Sequence, residues 1–207
     1  METLNLDIWV AWPTVNIVEA NDMAAVWKKQ GYKVAVLVEE PVVDQPHIDT
    51  IITISEWKGF PHAANTLCKS IEYDIIVIAG NDLYPELRRP AQILGAEFIE
   101  HFGGTNGIMH PTGDRYGLID EASICPWIGK DYGIAPYNEE YYHYYCDGEL
   151  QDVAVQKGTF WQRPDVIQYH DHWGRTSAKR PKHLMPALAH HPEDKATYER
   201  RKANGFQ

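Results

Sequence analysis

The chain has 207 residues, of which 44% are hydrophobic and 23% charged, and its formal net charge at pH 7 is −10. A chain of this kind can bury one substantial core, and no apolar run of about 18 residues predicts a membrane span. The charge is uneven, because residues 174–207 carry eight Lys or Arg and three acids, a net +5, whereas residues 1–173 carry −15. We therefore expect a body at 1–173 and a basic extension at 174–207, which forms either a solvated surface or a contact with an anionic partner.

The first half of the chain alternates between strand-like and helix-like segments. The predicted strands are 6–12, 32–40, 50–55 and 73–80, and the predicted helices are 17–30 and 60–71. The segment YDIIVIAG (73–80) is continuously apolar, which is typical of a parallel strand covered on both faces. This order predicts an α/β sheet with parallel strands flanked by helices.

The second half is more irregular and more aromatic. The predicted helices are 91–102, two stretches within 138–158 and a last helix at 193–203, and the predicted strands are 107–113, 115–120, 159–162 and 165–173. A mixed second half that shares one sheet with the first half fits this pattern better than two separate domains.

Cysteine usage indicates a reducing setting. Cys68, Cys125 and Cys146 are far apart and form no CxxC pair, so neither a disulfide framework nor a zinc finger is predicted. No basic residues precede the first apolar stretch, so we expect no signal peptide and a cytoplasmic location.

Asn81 and Asp82 follow the apolar strand at 73–80. Ligands of open α/β sheets bind beyond the carboxyl ends of the strands, and a carboxylate beside an amide oxygen suits a hard divalent cation that also contacts a phosphate. The alternative interpretation is an Asx turn that closes the strand.

Two further groups have both a functional and a structural interpretation. Asp147 and Glu149 precede a helical segment, where acids either favour the helix N-terminus or provide a general base. His170 and His172 alternate on a strand and so share one face, where they either bind a metal or pack in an aromatic setting. No GxGxxG, P-loop, GxSxG or HExxH motif occurs in the chain.

Four segments occur in an order that resembles one family. They are AWPTVN (11–16), KGFPHAANTLCKSIEYDIIVIAGND (58–82), CDGELQDVAVQKG (146–158) and YHDHW (169–173). Together they resemble the GT-A fold glycosyltransferases, especially the compact, family 2-like enzymes of phages and bacteria. The resemblance implies a GT-A-like (Rossmann-like) mixed sheet flanked by helices, with the catalytic domain at 1–173. The chain departs from the family in having AGND in place of the DxD motif and PTVN without the usual Tyr.

The resemblance implies a metal-dependent, inverting hexosyltransferase that moves a sugar from a nucleotide-diphosphate sugar, most simply a UDP-sugar, to an acceptor hydroxyl. In this hypothesis Mn²⁺ or Mg²⁺ bridges the donor pyrophosphate to Asp82, with His170 or His172 completing the site. Asp147 is the implied catalytic base, and Glu149 is its alternative. The residues implied in donor binding are Pro13, Thr14, Glu39 or Glu40, Asn65, Asn81, Asp82 and Trp127. Trp161 and the Tyr141–Tyr145 cluster are either stacking surfaces or core.

The acceptor is open at this stage. Related phage enzymes glycosylate hydroxymethylated bases in DNA, and the basic segment 174–183 with Arg88 and Arg89 would suit such an acceptor, whereas a saccharide or protein acceptor needs no basic tail. Two other classes remain: a catalytically inactive GT-A-like binding protein, favoured by the incomplete AGND motif, and a metal-dependent hydrolase, favoured by the ten histidines.

Overall fold

The computed structural model describes residues 5–113, 125–173 and 181–207. The strands in these ranges are β1 (Ile8–Pro13), β2 (Lys33–Val38), β3 (Thr50–Thr53), β4 (Ile75–Ile78), β5 (Leu83–Tyr84), β6 (Ile108–Gly113), β7 (Trp127–Gly129), β8 (Phe160–Ile167) and β9 (Tyr169–His170). The α-helices are α1 (Ile17–Lys29), α2 (Phe60–Ser70), α3 (Ala91–Phe102), α4 (Cys146–Gln156) and α5 (Met185–Ala203). Short 3-10 turns cover Lys130–Tyr132 and Lys182–Leu184.

The main sheet has the strand order β3-β2-β1-β4-β7-β6-β8. Strands β3, β2, β1 and β4 pair in parallel, β7 runs antiparallel to both of its neighbours, and β8 pairs in parallel with β6. A separate pair, β5 with β9, is antiparallel. The predicted mixed α/β sheet flanked by helices is therefore confirmed.

The sheet is buried on both faces. On one face, Val10 and Trp12 of β1 pack with α1 and α3, while Ala11 of the same strand packs on the other face with α2 and α4. Successive strand residues point to opposite faces, and every residue of β4 is buried. The continuous apolar pattern of β4 is thus explained by helices on both sides.

Local signals place the helix ends close to the predicted positions. The Asn16 side chain accepts a hydrogen bond from the Glu19 N–H and so caps α1. Gly31 follows α1 with φ +87°, and Gly103 follows α3 with φ +67°, a backbone region that glycine adopts without steric cost. Helices α1, α2 and α3 and strands β1, β2, β3, β4 and β6 match the predicted segments to within two residues at nearly every end.

The structure corrects the sequence prediction between residues 138 and 145. This stretch is not helical, and only α4 forms within the predicted helical region. The backbone N–H groups of Tyr142, His143 and Tyr144 donate to the Asp194 carboxylate instead of to helical carbonyls. Tyr145 then adopts a left-handed conformation, with φ 66°, immediately before α4.

The structure differs from the predicted elements in three other places. Strand β7, with three residues in the middle of the sheet, was not predicted. The last helix starts eight residues before its predicted start, at Met185, and contains Pro192. The predicted strand at 159–162 and the start of the one at 165–173 form a single strand, β8, which tolerates proline because it lies at the edge of the sheet. The remainder of the strand predicted at 165–173 contains the separate short strand β9. The strand predicted at 115–120 lies outside the described residues.

In the described part of the basic extension, the short turn Lys182–Leu184 is followed by helix α5. Helix α5 packs against α4 through an ion pair between Arg201 and Glu149. Of the helices in the described ranges, none combines the length and the apolar character that a membrane span requires.

Candidate active site

The carboxyl ends of β1, β2 and β4 lie at one edge of the sheet, because these strands are parallel neighbours. Thr14 follows β1, Glu39 follows β2, and Asn81 and Asp82 follow β4. The main chain joins two of these ends, since the Thr14 N–H donates to the Leu37 carbonyl over 2.9 Å. Segments that are far apart in sequence thus converge on one edge.

Asn81 is a structural link between β4 and β1. Its Oδ1 accepts a hydrogen bond of 2.6 Å from Trp12 Nε1, and its Nδ2 donates to Thr14 Oγ1 over 3.0 Å. The indole N–H is a donor only, which fixes the orientation of the amide. The amide oxygen of Asn81 is therefore engaged within the fold, so an Asn81 contribution to a metal site has little support.

Asp82 faces His170 across the β5–β9 pair. Leu83 lies opposite His170 in this pair, and the Asp171 N–H donates to the Asp82 carbonyl over 2.8 Å. As a result, His170 Nε2 lies 3.2 Å from Asp82 Oδ2. The Asp82 side chain is 45% exposed, whereas that of His170 is 16% exposed. The carboxylate is therefore held by the fold and is also open to a ligand.

The charge state of Asp82 reflects these neighbours. Partial burial by itself raises the pKa of the Asp82 carboxyl, but the hydrogen bond and charge of His170 outweigh burial, and the pKa is lowered. The electrostatic interaction with His172 lowers the pKa of Asp82 further. The ring of His172 lies 5.0 Å from that of His170 between centroids. Both histidines thus belong to the same corner as Asp82.

A divalent cation fits part of this corner. Two ligand atoms of one octahedral Mg²⁺ are about 3 Å apart when each bond is about 2.1 Å, and Asp82 Oδ2 and His170 Nε2 are separated by 3.2 Å. No group of three or more His, Cys, Asp or Glu residues in the described ranges forms a ready metal site. The donor set is therefore of the kind in which a phosphate-bearing substrate supplies further oxygens.

Asp147 lies in the first turn of α4, and its side chain is partly buried. Its Oδ1 accepts a hydrogen bond of 2.9 Å from the Gly148 N–H. Burial raises the pKa of Asp147, and the Gly148 hydrogen bond only partly opposes this effect. A carboxylate with a raised pKa is a stronger base than an exposed one.

Glu149 has a different environment from Asp147. It is buried, its two carboxylate oxygens accept from Arg201 Nε (2.8 Å) and Nη2 (2.9 Å), and Tyr141 Oη donates to it over 2.6 Å. These bonds occupy both oxygens, so Glu149 anchors α5 to α4. Its suggested role as the alternative base does not fit this arrangement.

Asn65 is also fully engaged in the fold. It is 1% exposed, and its Nδ2 donates to the Tyr137 carbonyl and to Glu139 Oε1, while its Oδ1 accepts from the Tyr137 N–H. His62 on the same helix lies 2.9 Å from Glu139 Oε2. Asn65 thus holds the 137–139 segment, and direct donor contact through its side chain is not favoured.

The remaining predicted donor residues differ in accessibility. Pro13 and Thr14 are partly exposed at the end of β1, and Glu39 and Glu40 are exposed at the end of β2. Trp127 is fully buried and packs edge-on against Tyr32 at 5.7 Å between ring centroids. A fully buried ring offers no face to a ligand, so stacking on Trp127 does not fit the structure.

Several residues that support this edge were not found from the sequence. Glu86 is buried and accepts hydrogen bonds from Arg88 and from the Ile167 N–H, which ties the chain after β5 to the end of β8. Asp194 and Arg201 hold the segment before α4 in the same way, through Tyr142 and Glu140. Apart from the Arg88 bond, these contacts join residues more than 50 positions apart, and no local sequence pattern could have indicated them.

All three cysteines are buried free thiols. Burial raises the pKa of Cys68 to about 12, and it also raises the pKa of Cys125 and Cys146. A protonated buried thiol is neither a nucleophile nor a metal ligand. The cysteines are therefore core residues.

Comparison with known proteins places this arrangement in a known fold. No protein-family model matches the chain, and no curated protein matches it in sequence. The crystal structure of S. aureus TarS superposes on 79% of the chain with a TM-score of 0.53 and 14% identity, and the match covers 36% of TarS. TarS 1–349 in complex with UDP-GlcNAc superposes on 84% of the chain with a TM-score of 0.54 and 13% identity, over 59% of that chain. The fold is GT-A-like.

This GT-A-like chain spans between 36% and 60% of the length of the TarS chains that it matches. Within the fold, Asp82 and His170 lie beyond the carboxyl end of β4, and Asp147 lies at the N-terminus of α4. The first pair is suited to bind an anion through a cation, and Asp147 is suited to accept a proton.

Proposed function

We propose that the chain is a glycosyltransferase that uses a nucleotide-diphosphate sugar as donor. The single observation that carries this proposal is the contact of Asp82 with His170 at the carboxyl edge of a GT-A-like sheet. Two facts support it: a protein of similar fold is known in complex with UDP-GlcNAc, and the sequence resembles GT-A enzymes over residues 6–173. A UDP-sugar is the simplest donor, and assignment to the compact, family 2-like phage or bacterial type is part of the same proposal.

In this proposal, Asp82 and His170 are the residues that would hold Mn²⁺ or Mg²⁺ for the donor diphosphate, and His172 lies beside His170. A divalent cation stabilises negative charge on a leaving diphosphate. Thr14 and Glu39 lie at the ends of the neighbouring strands, and we assign them to contact with the nucleoside. Asn81 keeps the strand ends together through Trp12 and Thr14.

Asp147 is the proposed catalytic base. It removes the proton from the acceptor hydroxyl as the acceptor oxygen bonds to the anomeric carbon. The bond between that carbon and the diphosphate oxygen breaks, and its electron pair leaves with the diphosphate. Attack from the side opposite the leaving group inverts the anomeric centre. The raised pKa of Asp147 favours this role.

The acceptor hydroxyl is proposed to belong to a saccharide or to a hydroxymethylated base in DNA. Arg88 and Arg89 are paired with Glu86 and Asp165, so they are poorly placed to bind phosphates. A DNA contact would therefore rest on the basic residues of 174–183, and residues 174–180 of this segment lie outside the described ranges.

The deciding experiment incubates the protein with UDP-GlcNAc, UDP-glucose and UDP-galactose, with Mn²⁺ or with EDTA, and measures released UDP. Slow donor hydrolysis that needs Mn²⁺ and that disappears in Asp82→Asn is the expected result. Asp171→Asn is the matched control. Asp171 lies between His170 and His172 in the chain, but in the described ranges its side chain accepts a hydrogen bond from Tyr169 and makes none with Asp82. A protein that binds UDP without releasing it from any donor would be the inactive binding protein. Release of phosphate from simple esters without sugar transfer would indicate a hydrolase.

A further inference from the structure

The segment that leads into α4 is held from outside by α5. Asp194 of α5 is 2% exposed, and its carboxylate accepts three backbone N–H groups. Oδ1 accepts from Tyr142 over 2.7 Å, and Oδ2 accepts from His143 over 3.0 Å and from Tyr144 over 2.8 Å. The two oxygens of one buried side chain thus accept from three consecutive backbone N–H groups that lie outside any helix.

Arg201, two turns further along α5, holds the other side of the same region. Its guanidinium binds both oxygens of Glu149, and its Nη1 donates to Glu140 Oε1 over 2.9 Å. Tyr141 Oη donates to Glu149 as well. Asp194 therefore fixes the chain before residue 147, and Arg201 joins the two sides of that residue through Glu140 and Glu149.

Helix α2 restrains the same backbone from the opposite direction. The Phe60 N–H donates to the Tyr142 carbonyl over 2.8 Å. At Gly59, where φ is +101°, a Cβ atom would lie 2.4 Å from the Tyr142 carbonyl oxygen, so only glycine permits this approach. The backbone of Tyr142 is thus bound through its N–H to α5 and through its carbonyl to α2.

These restraints determine where α4 begins. Tyr145 has φ 66°, a conformation that is unfavourable for a non-glycine residue and persists only where the surroundings impose it. The turn at Tyr145 sets the direction of the first turn of α4, and Asp147 is in that turn. The position of the carboxylate thus depends on α5 and not on local helix propensity alone.

We propose that Asp194 and Arg201 are positioning residues that place Asp147 for proton transfer, an inference that rests on the proposed function. In this proposal neither residue contacts the donor or the acceptor. They act by fixing the backbone on both sides of Asp147, so that α5 completes the catalytic apparatus.

Asp194→Asn is the test variant, because it keeps the shape of the side chain and replaces one acceptor oxygen by an N–H₂ group that faces N–H donors. Asp152→Asn is the matched control. Asp152 lies at the same α4–α5 interface, where it accepts from Tyr198 and Lys202, and within the described ranges it does not hydrogen-bond to the segment before α4. Arg201→Lys, which keeps the charge and loses the two-point contact, serves if Asp194→Asn does not fold.

Three readouts are needed. In Asp194→Asn, amide hydrogen exchange at 142–149 should accelerate at least tenfold while β4 stays protected, and ¹³C NMR titration of the Asp147 carboxyl should shift towards lower pH as its burial decreases. The kcat should fall at least tenfold with the donor KM changed less than twofold. Asp152→Asn should match the wild type in all three.

The outcomes separate the two proposals. If Asp194→Asn leaves the Asp147 titration and the exchange of 142–149 unchanged, or if these change and kcat does not, the positioning role is wrong. If the wild type transfers no sugar from any donor, the proposed function fails and the catalytic meaning of the positioning fails with it. In that case, the exchange and titration results still show whether α5 fixes Asp147.

Discussion

His170 Nε2 lies 3.2 Å from Asp82 Oδ2, although 88 positions separate the two residues. The contact exists because β5 and β9 pair antiparallel and bring the chain after β8 back to the end of β4. A carboxylate and an imidazole nitrogen at this separation, one half-exposed and one mostly buried, form the centre of the proposed donor site.

We predict that Asp82→Asn and His170→Ala each weaken Mn²⁺ binding in the presence of UDP by at least about tenfold. Loss of one ligand from a site with few protein ligands leaves the cation held mainly by the diphosphate. Electron paramagnetic resonance of free Mn²⁺ measures this binding, with Asp171→Asn as the control. Equal Mn²⁺ affinity in the wild type and both variants would rule out a metal site at this pair.

For Asn81 we predict a role in stability. Asn81→Ala leaves the buried Trp12 indole N–H without its acceptor, which typically costs about 1–3 kcal/mol in free energy of unfolding. Asn81→Asp keeps that acceptor and loses only the bond to Thr14, so it should be the more stable of the two variants. Urea unfolding followed by tryptophan fluorescence provides the comparison. The reverse order of stability would show that the Thr14 bond dominates.

We predict that substitution of Asp147 impairs catalysis, whereas substitution of Glu149 impairs stability. Asp147→Asn should lower kcat by a factor on the order of 100 while donor binding and stability persist, since general-base assistance is typically of that size. Glu149→Gln should instead destabilise the fold by about 3 kcal/mol, the low end of the range for breaking a buried ion pair, because Arg201 loses its charged partner. Steady-state kinetics and urea unfolding on both variants test this division. A stable but inactive Glu149→Gln would return the role of base to Glu149.

Glu86 should make the fold sensitive to acid. Burial by itself raises the pKa of Glu86, but the hydrogen bonds from Arg88 and from the Ile167 N–H outweigh burial and lower the pKa to about 2. Because the folded-state pKa is below the ordinary value of 4.5, the stabilisation is complete above about pH 4.5 and is lost as the pH falls towards 2. We expect a loss of roughly 3 kcal/mol over this window.

The acid sensitivity can be assigned to Glu86 by comparison with one variant. In Glu86→Gln, the group no longer titrates, so the unfolding free energy should be lower at pH 7 and should depend less on pH between 4.5 and 2.5. Urea unfolding at several pH values measures both quantities. An unchanged pH slope in Glu86→Gln would mean that other carboxyl groups cause the acid sensitivity.

The fold was largely predictable because its signals are local. The buried run of β4, the Asn16 cap and Gly31 each fix an element from neighbouring residues. The segment at 138–145 was predicted wrongly because the Asp194 carboxylate, about 50 positions away, replaces the helical acceptors. Local propensity favours helix there, and a tertiary contact decides otherwise.

The candidate site was predictable in its residue types but not in its partners. Asp82 and Asp147 follow from their places after a strand and at a helix start. The sequence could not show that the Asn81 oxygen binds Trp12 or that Glu149 binds Arg201, because each of these pairs joins residues more than 50 positions apart. The sequence looks the same whether a carboxylate or an amide contacts a substrate or another residue of the protein.

The last prediction concerns the acceptor and the basic extension. If the acceptor is DNA, Lys and Arg side chains displace counterions from its phosphates, and binding should weaken steeply as the salt concentration rises. Changing Lys179, Arg180 and Lys182 to Ala should then make the slope of log K against log salt shallower by up to about 3, roughly one unit for each lost phosphate contact. Arg88 is the contrasting site, because Glu86 already binds it, and Arg88→Ala should leave the slope unchanged.

The measurement is binding of a duplex that contains hydroxymethylated bases at several salt concentrations, together with sugar transfer to the same duplex. Transfer to a saccharide with no transfer to this duplex would exclude DNA, and transfer to DNA with an unchanged slope in the triple variant would remove the extension from acceptor binding.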